Sequence, residues 1–267
     1  MLSRTTAVRF DRRLSSGKTW PSQLSCIRND REHEEVEVVA KFSAGCERKI
    51  GGLVAETIAA MLAADLDLPV PEPVLVDFDT GFIEIIRARD RALAERIGPS
   101  ASVAFGSTKL PSGFAVLPQE KAVPQTLRAQ AADIFAFDAL VQNPDRRPEN
   151  PNCLLDGRSF AIFDHELAFM TQGIVGWRPP WQIGGLEMLK GPIRHVFFGD
   201  LQGKIADFNR LKGAWQAITD ARLQEYRNAL PPEWADDGGV AGEALGYIAQ
   251  VRDNIDMALA EVTRVLT

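Results

Sequence analysis

The period of the apolar residues changes along this chain, and that change limits the fold more than any single motif does. Up to about residue 87 the apolar residues fall in short runs bounded by polar turns. "AVRF" (7–10), "SQLSCI" (22–27) and "VEVVAKF" (36–42) read as strands, the last with the alternation of a half-buried one. "LVAETIAAMLAADL" (53–66) departs from this. Leu53, Thr57/Ile58 and Met61/Leu62 recur at helical spacing in an Ala-rich background. The prolines of "LPVPEP" (68–73) are expected to stop that helix, because proline lacks the donor a helix interior needs. "VLVDF" (74–78) and "GFIEII" (81–86), split at "DTG", predict a hairpin. Residues 1–87 therefore read β-β-β-α-β-β.

Residues 88–124 look irregular, with one short strand at "GFAVL" (113–117). After them the helical period takes over. "QTLRAQAADIFAFDALVQ" (125–142) carries Leu127, Ile134, Phe137, Leu140 and Val141 on a helix. "CLL" (153–155) and "FAIF" (160–163) form a hairpin around "DGRS". From about residue 200 the chain reads as helical, with one stripe through Leu201, Ile205, Phe208, Leu211, Trp215 and Ile218. A second stripe runs through Leu245, Ile248, Val251, Ile255, Leu259, Val262 and Leu266. Both stripes are most simply core. The class is α+β.

With 267 residues, 45% of them apolar, a sizeable core can form. A net charge of −6 argues against broad nucleic-acid binding, which usually leaves a basic footprint. Cys26, Cys46 and Cys153 have no paired spacing, and with three scattered His they make no zinc pattern. They read as buried, inert thiols in a reducing cytosol. The basic start "MLSRTTAVRFDRRLSSG" has no apolar h-region, so no secretory signal is expected. No run approaches a membrane span.

The chemistry concentrates in "LVQNPDRRPENPNCLL" (140–155), a Pro-broken polar loop between a helix and a strand. Asp145 and Asn150 are five residues apart in it, and Asp164 follows Asp145 by nineteen, at the end of an apolar strand. Two carboxylates and a carboxamide oxygen form a hard-oxygen set suited to Mg²⁺. Arg146 and Arg147 could neutralise phosphate oxygens. The same residue types also build ordinary surface turns, and taken alone the loop leaves both readings open.

The ordered set of motifs resembles the protein kinases. "DRRPEN" has the Asp-to-Asn spacing of the kinase catalytic loop, and "FDHE" (163–166) arrives about where a metal-binding Asp belongs. "VVAKF" places Lys41 where the phosphate-pairing lysine would be, "LVAETIAAMLA" supplies Glu56 as its partner, and "LSSGKTWP" (14–21) precedes them. Asn143 stands two residues before Asp145, His165 and Glu166 follow Asp164, and the nucleotide loop holds one Gly instead of three. These departures resemble the type II phosphatidylinositol 4-kinases and, more closely, the HipA-like kinases of bacteria. "LPVPEP", "FGS" (105–107), the run over 143–152 and "IFDH" (162–165) are similar to the small stand-alone HipA-like domains. The resemblance covers roughly residues 12–200.

That resemblance implies a two-lobed, protein-kinase-like fold. Residues 1–118 would be a small β-rich, nucleotide-binding N-lobe with one main helix, and 119–267 a mostly helical C-lobe. It implies ATP and Mg²⁺ as cofactors and transfer of the γ-phosphoryl group to a Ser or Thr hydroxyl of a protein substrate. A lipid or small-molecule acceptor, AMP transfer, and a non-catalytic ATP-binding module are the alternatives. Asp145 would be the catalytic base, Asn150 and Asp164 the metal ligands, and Lys41 the contact to the α/β-phosphates, braced by Glu56. Arg147 would steady the transferring group or sit in a surface ion pair. Asn152 is chemically as good a ligand as Asn150. Ser16, Gly17, Lys18 and Thr19 would cover the phosphates with backbone N–H groups, or form a plain β-turn. Ala40 and Val39 would line the adenine pocket or simply be core. His165 would be a second base or, more simply, would pack or hydrogen-bond to the catalytic loop. Trp177 and Trp181 would edge a peptide groove or clamp the helices. The family commonly pairs with a DNA-binding antitoxin, so such a partner is carried as an expectation. The chain itself shows no DNA-binding motif, no basic amphipathic helix for a membrane, and a cytoplasmic character.

Overall fold

Ser3–Arg13 (β1), Ser22–Arg28 (β2), Glu35–Lys41 (β3), Pro73–Asp77 (β4) and Val103–Thr108 (β5) close into a barrel in the order β1-β2-β3-β5-β4. The computed structural model describes residues 2–15, 17–31, 34–118, 122–171, 176–191 and 194–267. β1 and β4 run parallel and the other neighbours antiparallel. Alternate residues of each strand point inward, so Leu24, Cys26, Val38, Ala40, Val74, Val76 and Ala104 form one buried cluster. Gly106 sits where that cluster is tightest. A Cβ there would lie 2.5 Å from Val38 Cγ1, 2.7 Å from Val76 Cγ2 and 2.9 Å from Val74 Cγ2. Gly106→Ala should therefore overpack the barrel and cost about 1–3 kcal/mol, read as a lower denaturant midpoint. An unchanged midpoint would mean that the barrel wall yields freely there.

The chain divides into two compact units. The first comprises Met1–Ile58, Pro71–Pro111 and Glu225–Ala241, the second Ala59–Val70, Ser112–Gln224 and Gly242–Thr267. The helix expected from the Ala-rich run is Ile50–Asp65 (α1), whose first half belongs to the first unit and second half to the second. The prolines are not what stops it. Asp67 takes a left-handed φ of 56°, and Leu68 N–H donates to Ala63 O at 2.9 Å, a Schellman turn that satisfies the last carbonyls.

Three expectations fail here. "GFIEII" is not a strand but part of a helix, Thr80–Arg87 (α2). Asp79 is its N-cap, accepting from Phe82 N–H at 2.8 Å, rather than a hairpin corner. Phe82, Ile83 and Ile86 are buried together, a helical face that a short apolar run cannot distinguish from a strand. Residues 88–124 are not irregular: they hold Arg91–Ile97 (α3), capped in the same way by Asp90, and β5, which lies between β3 and β4. The first unit's order is thus β-β-β-α-β-α-α-β, with more than the one helix expected.

In the second unit, Arg128–Leu140 (α4) leads to the loop, and Ala115–Val116 (β6), Cys153–Leu155 (β7) and Phe160–Ile162 (β8) form a three-stranded sheet. The hairpin expected at 153–163 forms in the register Cys153↔Ile162, Leu154↔Ala161, Leu155↔Phe160. Asp156 Oδ1 sets it by accepting from Arg158 and Ser159 N–H at 2.7 and 2.8 Å.

Beyond residue 200 the chain is helical but more broken than the stripes suggest. Phe198–Leu201 (α5) and Asn209–Gln216 (α6) are separated by a loop in which Ile205 is fully exposed, so Ile205 is not core. Asp220–Ala229 (α7), Val240–Asp253 (α8) and Ile255–Leu266 (α9) follow, and the second stripe bends at Asn254 while staying buried. Trp177 and Trp181 pack in tilted contact with Tyr247 of α8, ring centroids 6.4 and 6.1 Å away, which favours the clamp over the groove. Among the described residues no helix is long and apolar enough to cross a membrane. All three cysteines are free and buried, and burial pushes Cys26 and Cys153 up to about 11 and about 12.

Candidate functional site

In the first unit the candidates gather at the end of β3. Lys41 is its last residue and Glu56 is the seventh residue of α1, nearly two turns in. Their side chains, both almost wholly buried, meet at 2.7 Å. A buried pair of this kind holds the ammonium in one place and direction, which a solvated lysine does not. Ala40 lies fully within the barrel cluster, while Val39 is half-buried.

The turn before β2 is tied down by its backbone. Leu14 N–H donates to Pro21 O at 2.8 Å, closing the loop, and Gly17 takes a φ of +98° that an L side chain rarely adopts. Lys18 is exposed and Thr19 buried, while Ser16 lies outside the described residues. Two residues that sequence reading did not single out fix this loop. Arg96 of α3 donates to Lys18 O at 2.7 Å and stands over Trp20, with Arg13 on the same ring. Gly45 passes so close that a Cβ would come within 2.6 Å of Thr19 O. Neither carries a local signal, since both act across long stretches of chain.

In the second unit the loop after α4 centres on Asp145. Its Oδ1 accepts from Arg147 Nη2 at 2.9 Å, and its Oδ2 from Asn150 Nδ2 at 2.8 Å and Asn152 Nδ2 at 3.2 Å. Its own N–H donates to Asn143 Oδ1 at 3.2 Å. Arg147 and Asn150 also exchange backbone hydrogen bonds at 3.1 and 3.0 Å, closing a tight turn whose two ends both donate side-chain hydrogen bonds to the Asp145 carboxylate. Arg147 is thus in an ion pair with Asp145. Both carboxamide N–H₂ groups face Asp145, which leaves the carboxamide oxygens of Asn150 and Asn152 available to another ligand.

Asp164 is brought up by β8. Phe163 N–H donates to Asn152 O at 3.2 Å, so the residue before Asp164 is stitched to the end of the loop. Asp164 has a φ of +63°, and Gln142, Asn152 and Phe169 also sit at positive φ, at 55°, 42° and 62°. Left-handed backbone is uncommon outside glycine, and such residues collect where surrounding structure over-determines them. Phe169 is held by its N–H bond to Val141 O at 2.8 Å. His165 is buried, with its ring edge-on to Phe137 of α4.

Arg146 corrects an expectation. It does not face phosphate: it is fully buried, ion-paired to Asp138 of α4, and its Nη1 donates to Asn152 O and Phe163 O. It therefore ties α4 to both the loop and the strand that delivers Asp164. Burial would raise the Asp138 carboxyl, but Arg146 and His195 outweigh it and hold the group well below the usual carboxylate range. Asp138 and His195 were both missed by sequence reading, and only their burial marks them.

Among the described residues no three His, Cys, Asp or Glu side chains gather as a metal cluster. The donors present are carboxylate and carboxamide oxygens, hard ligands that fit Mg²⁺ and not a soft metal.

Comparison with known proteins leads to one class, the kinases. The HipA-like kinase family matches residues 11–175, more than half of the chain. The chain belongs to the HipA-like kinase family. It is similar to the crystal structure of a Helicobacter pylori proinflammatory kinase, CtkA, at 13% identity and a TM-score of 0.49, covering 97% of this chain and 98% of that one. A search of curated proteins found no match.

Proposed function

We propose that this protein is an ATP- and Mg²⁺-dependent phosphotransferase of the two-lobed kinase type, acting on a Ser or Thr hydroxyl of a protein. The observation that carries the reading is the Asp145 carboxylate fixed between Arg147, Asn150 and Asn152. In this proposal residues 1–118 bind the nucleotide, and 119–267 carry the catalytic loop. Lys41, aimed by Glu56, contacts the α/β-phosphates, and the backbone of the loop that includes Ser16, Gly17, Lys18 and Thr19 lies over them. Asn150 or Asn152, together with Asp164, would hold Mg²⁺, which supplies charge neutralisation on the phosphate oxygens. Asp145 accepts the proton of the acceptor hydroxyl as that oxygen forms its bond to the γ-phosphorus and the bond to the leaving ADP oxygen breaks. Arg147 is the cation beside that base. An antitoxin-type partner and a cytoplasmic setting belong to the same proposal.

Intact mass after incubation with Mg-ATP and a host lysate tests it. The acceptor should gain one phosphate; a gain of AMP, or no labelled acceptor, would overturn it. Binding is a separate expectation. Mg-ATP at a hundredfold over Kd should stabilise the fold by about 2.7 kcal/mol, a rise in Tm of several degrees. Lys41→Ala and Asp164→Asn should each remove most of that rise, measured against each variant's own Tm without ligand. A full rise in either variant would take that residue out of the nucleotide site.

A further inference from the structure

We infer that His195, which lies beyond the residues that match the family, is a positioning residue for the catalytic loop, acting as a neutral Nε2–H donor to Asp138. The inference rests on the phosphotransferase reading for its kinetic part and on geometry for the rest. His195 is 4% exposed, and its Nε2 lies 3.1 Å from Asp138 Oδ2. Its other nitrogen decides the tautomer. Phe197 N–H donates to Nδ1 at 3.1 Å, so Nδ1 must be the acceptor and Nε2 must carry the proton. The next residue is tied to the loop itself: Val196 N–H donates to Arg146 O at 2.9 Å.

Four donors from three residues converge on Asp138, the loop's anchor. Asp138 Oδ1 accepts from Asn143 Nδ2 at 2.9 Å and from Arg146 Nη2 at 3.3 Å, and Oδ2 from Arg146 Nε and His195. Asn143 in turn accepts from Asp145 N–H, so the imidazole is three hydrogen bonds from the backbone of the base. The groups facing His195 are Asp138 and Phe135 of α4, Arg146 of the loop, and Phe197 of its own segment. The carboxylate already has its counter-charge in Arg146. A second cation in that buried place would be uncompensated, so a neutral donor fits and a protonated imidazole does not. Burial accordingly pushes the His195 pKa down, against the pull of Asp138.

The test compares His195→Ala with His195→Gln, whose amide N–H₂ can replace the Nε2 donor. His195→Ala should lower kcat about ten- to a hundredfold, as loss of an outer support for a site residue does, with KM for ATP nearly unchanged. His195→Gln should recover most of the rate. Equal loss in both variants, or no loss in either, would overturn the inference. Imidazole ¹⁵N shifts in the native protein give a readout independent of folding in the variants and of activity. They should report one Nε2–H tautomer from about pH 5 to about pH 8; titration in that range, or the other tautomer, would also overturn it. Amide exchange across residues 143–152 should quicken in His195→Ala and be restored in His195→Gln. If the native protein transfers no phosphate, the functional reading fails, while shifts and exchange still decide the role of His195.

Discussion

Asp145→Asn should lower the rate of phosphoryl transfer about 10²–10⁴-fold, the usual contribution of general-base help, while Mg-ATP binding stays within a few-fold of the native value. The change keeps the side chain's shape and removes its capacity to take a proton. It has a second consequence. Three donors converge on this carboxylate, from Arg147, Asn150 and Asn152. An amide offers one acceptor oxygen, so its N–H₂ must face either the guanidinium or the two carboxamides. One donor set then loses its acceptor, a cost of about 1–3 kcal/mol where the groups are buried, less here because the loop is partly exposed. Single-turnover transfer and calorimetric titration of Mg-ATP separate the two effects. Loss of nucleotide binding with Asp145→Asn, together with full activity of Asp164→Asn, would reverse the roles proposed for the two carboxylates.

Arg146→Leu should have the largest effect on stability. Arg146 and Asp138 are both essentially inaccessible, and removing one partner leaves a buried charge unpaired at about 3–5 kcal/mol. Tm should fall by about ten degrees or more. The pH dependence should also change sign. In the native protein Arg146 and His195 hold the Asp138 carboxyl below its unfolded value despite its burial. Its contribution is therefore fully present above about pH 4 and is lost as pH falls through the depressed folded value. Without Arg146, burial dominates and raises that carboxyl above its unfolded value. The variant then gains relative stability as pH drops from about 7 toward about 4. Denaturant melts of both proteins at the two ends of that range check this. A deficit that does not narrow in acid would show that Asp138 is not the group left charged. Asp138→Asn added to Arg146→Leu should recover part of the loss, since it removes the unpaired charge.

The arrangements legible in the sequence are those whose signals are local. Lys41 closes an alternating strand, and Glu56 lies on an Ala-rich helix; the structure joins them at 2.7 Å. Asp145 and Asn150 meet because five residues of Pro-broken loop can close on themselves. Asp164 follows a hairpin whose turn chemistry is written in "DGRS". Periodicity and turn residues act over a few positions and can be read from a few positions. What the tertiary structure decided is non-local or locally ambiguous. "GFIEII" satisfies a strand and a helix equally, and the cap at Asp79 with burial of Phe82, Ile83 and Ile86 settles it as a helix. Val103–Thr108 becomes a strand because β3 and β4 leave a place between them, where Gly106 fits. Arg146 and Arg147 are neighbours of one type, yet one pairs with Asp145 at the loop and the other vanishes onto Asp138. The partner that completes that anchor, His195, is 57 residues from Asp138. Nothing in the sequence around it announces the contact, because a buried polar residue is defined by what surrounds it and not by what precedes it.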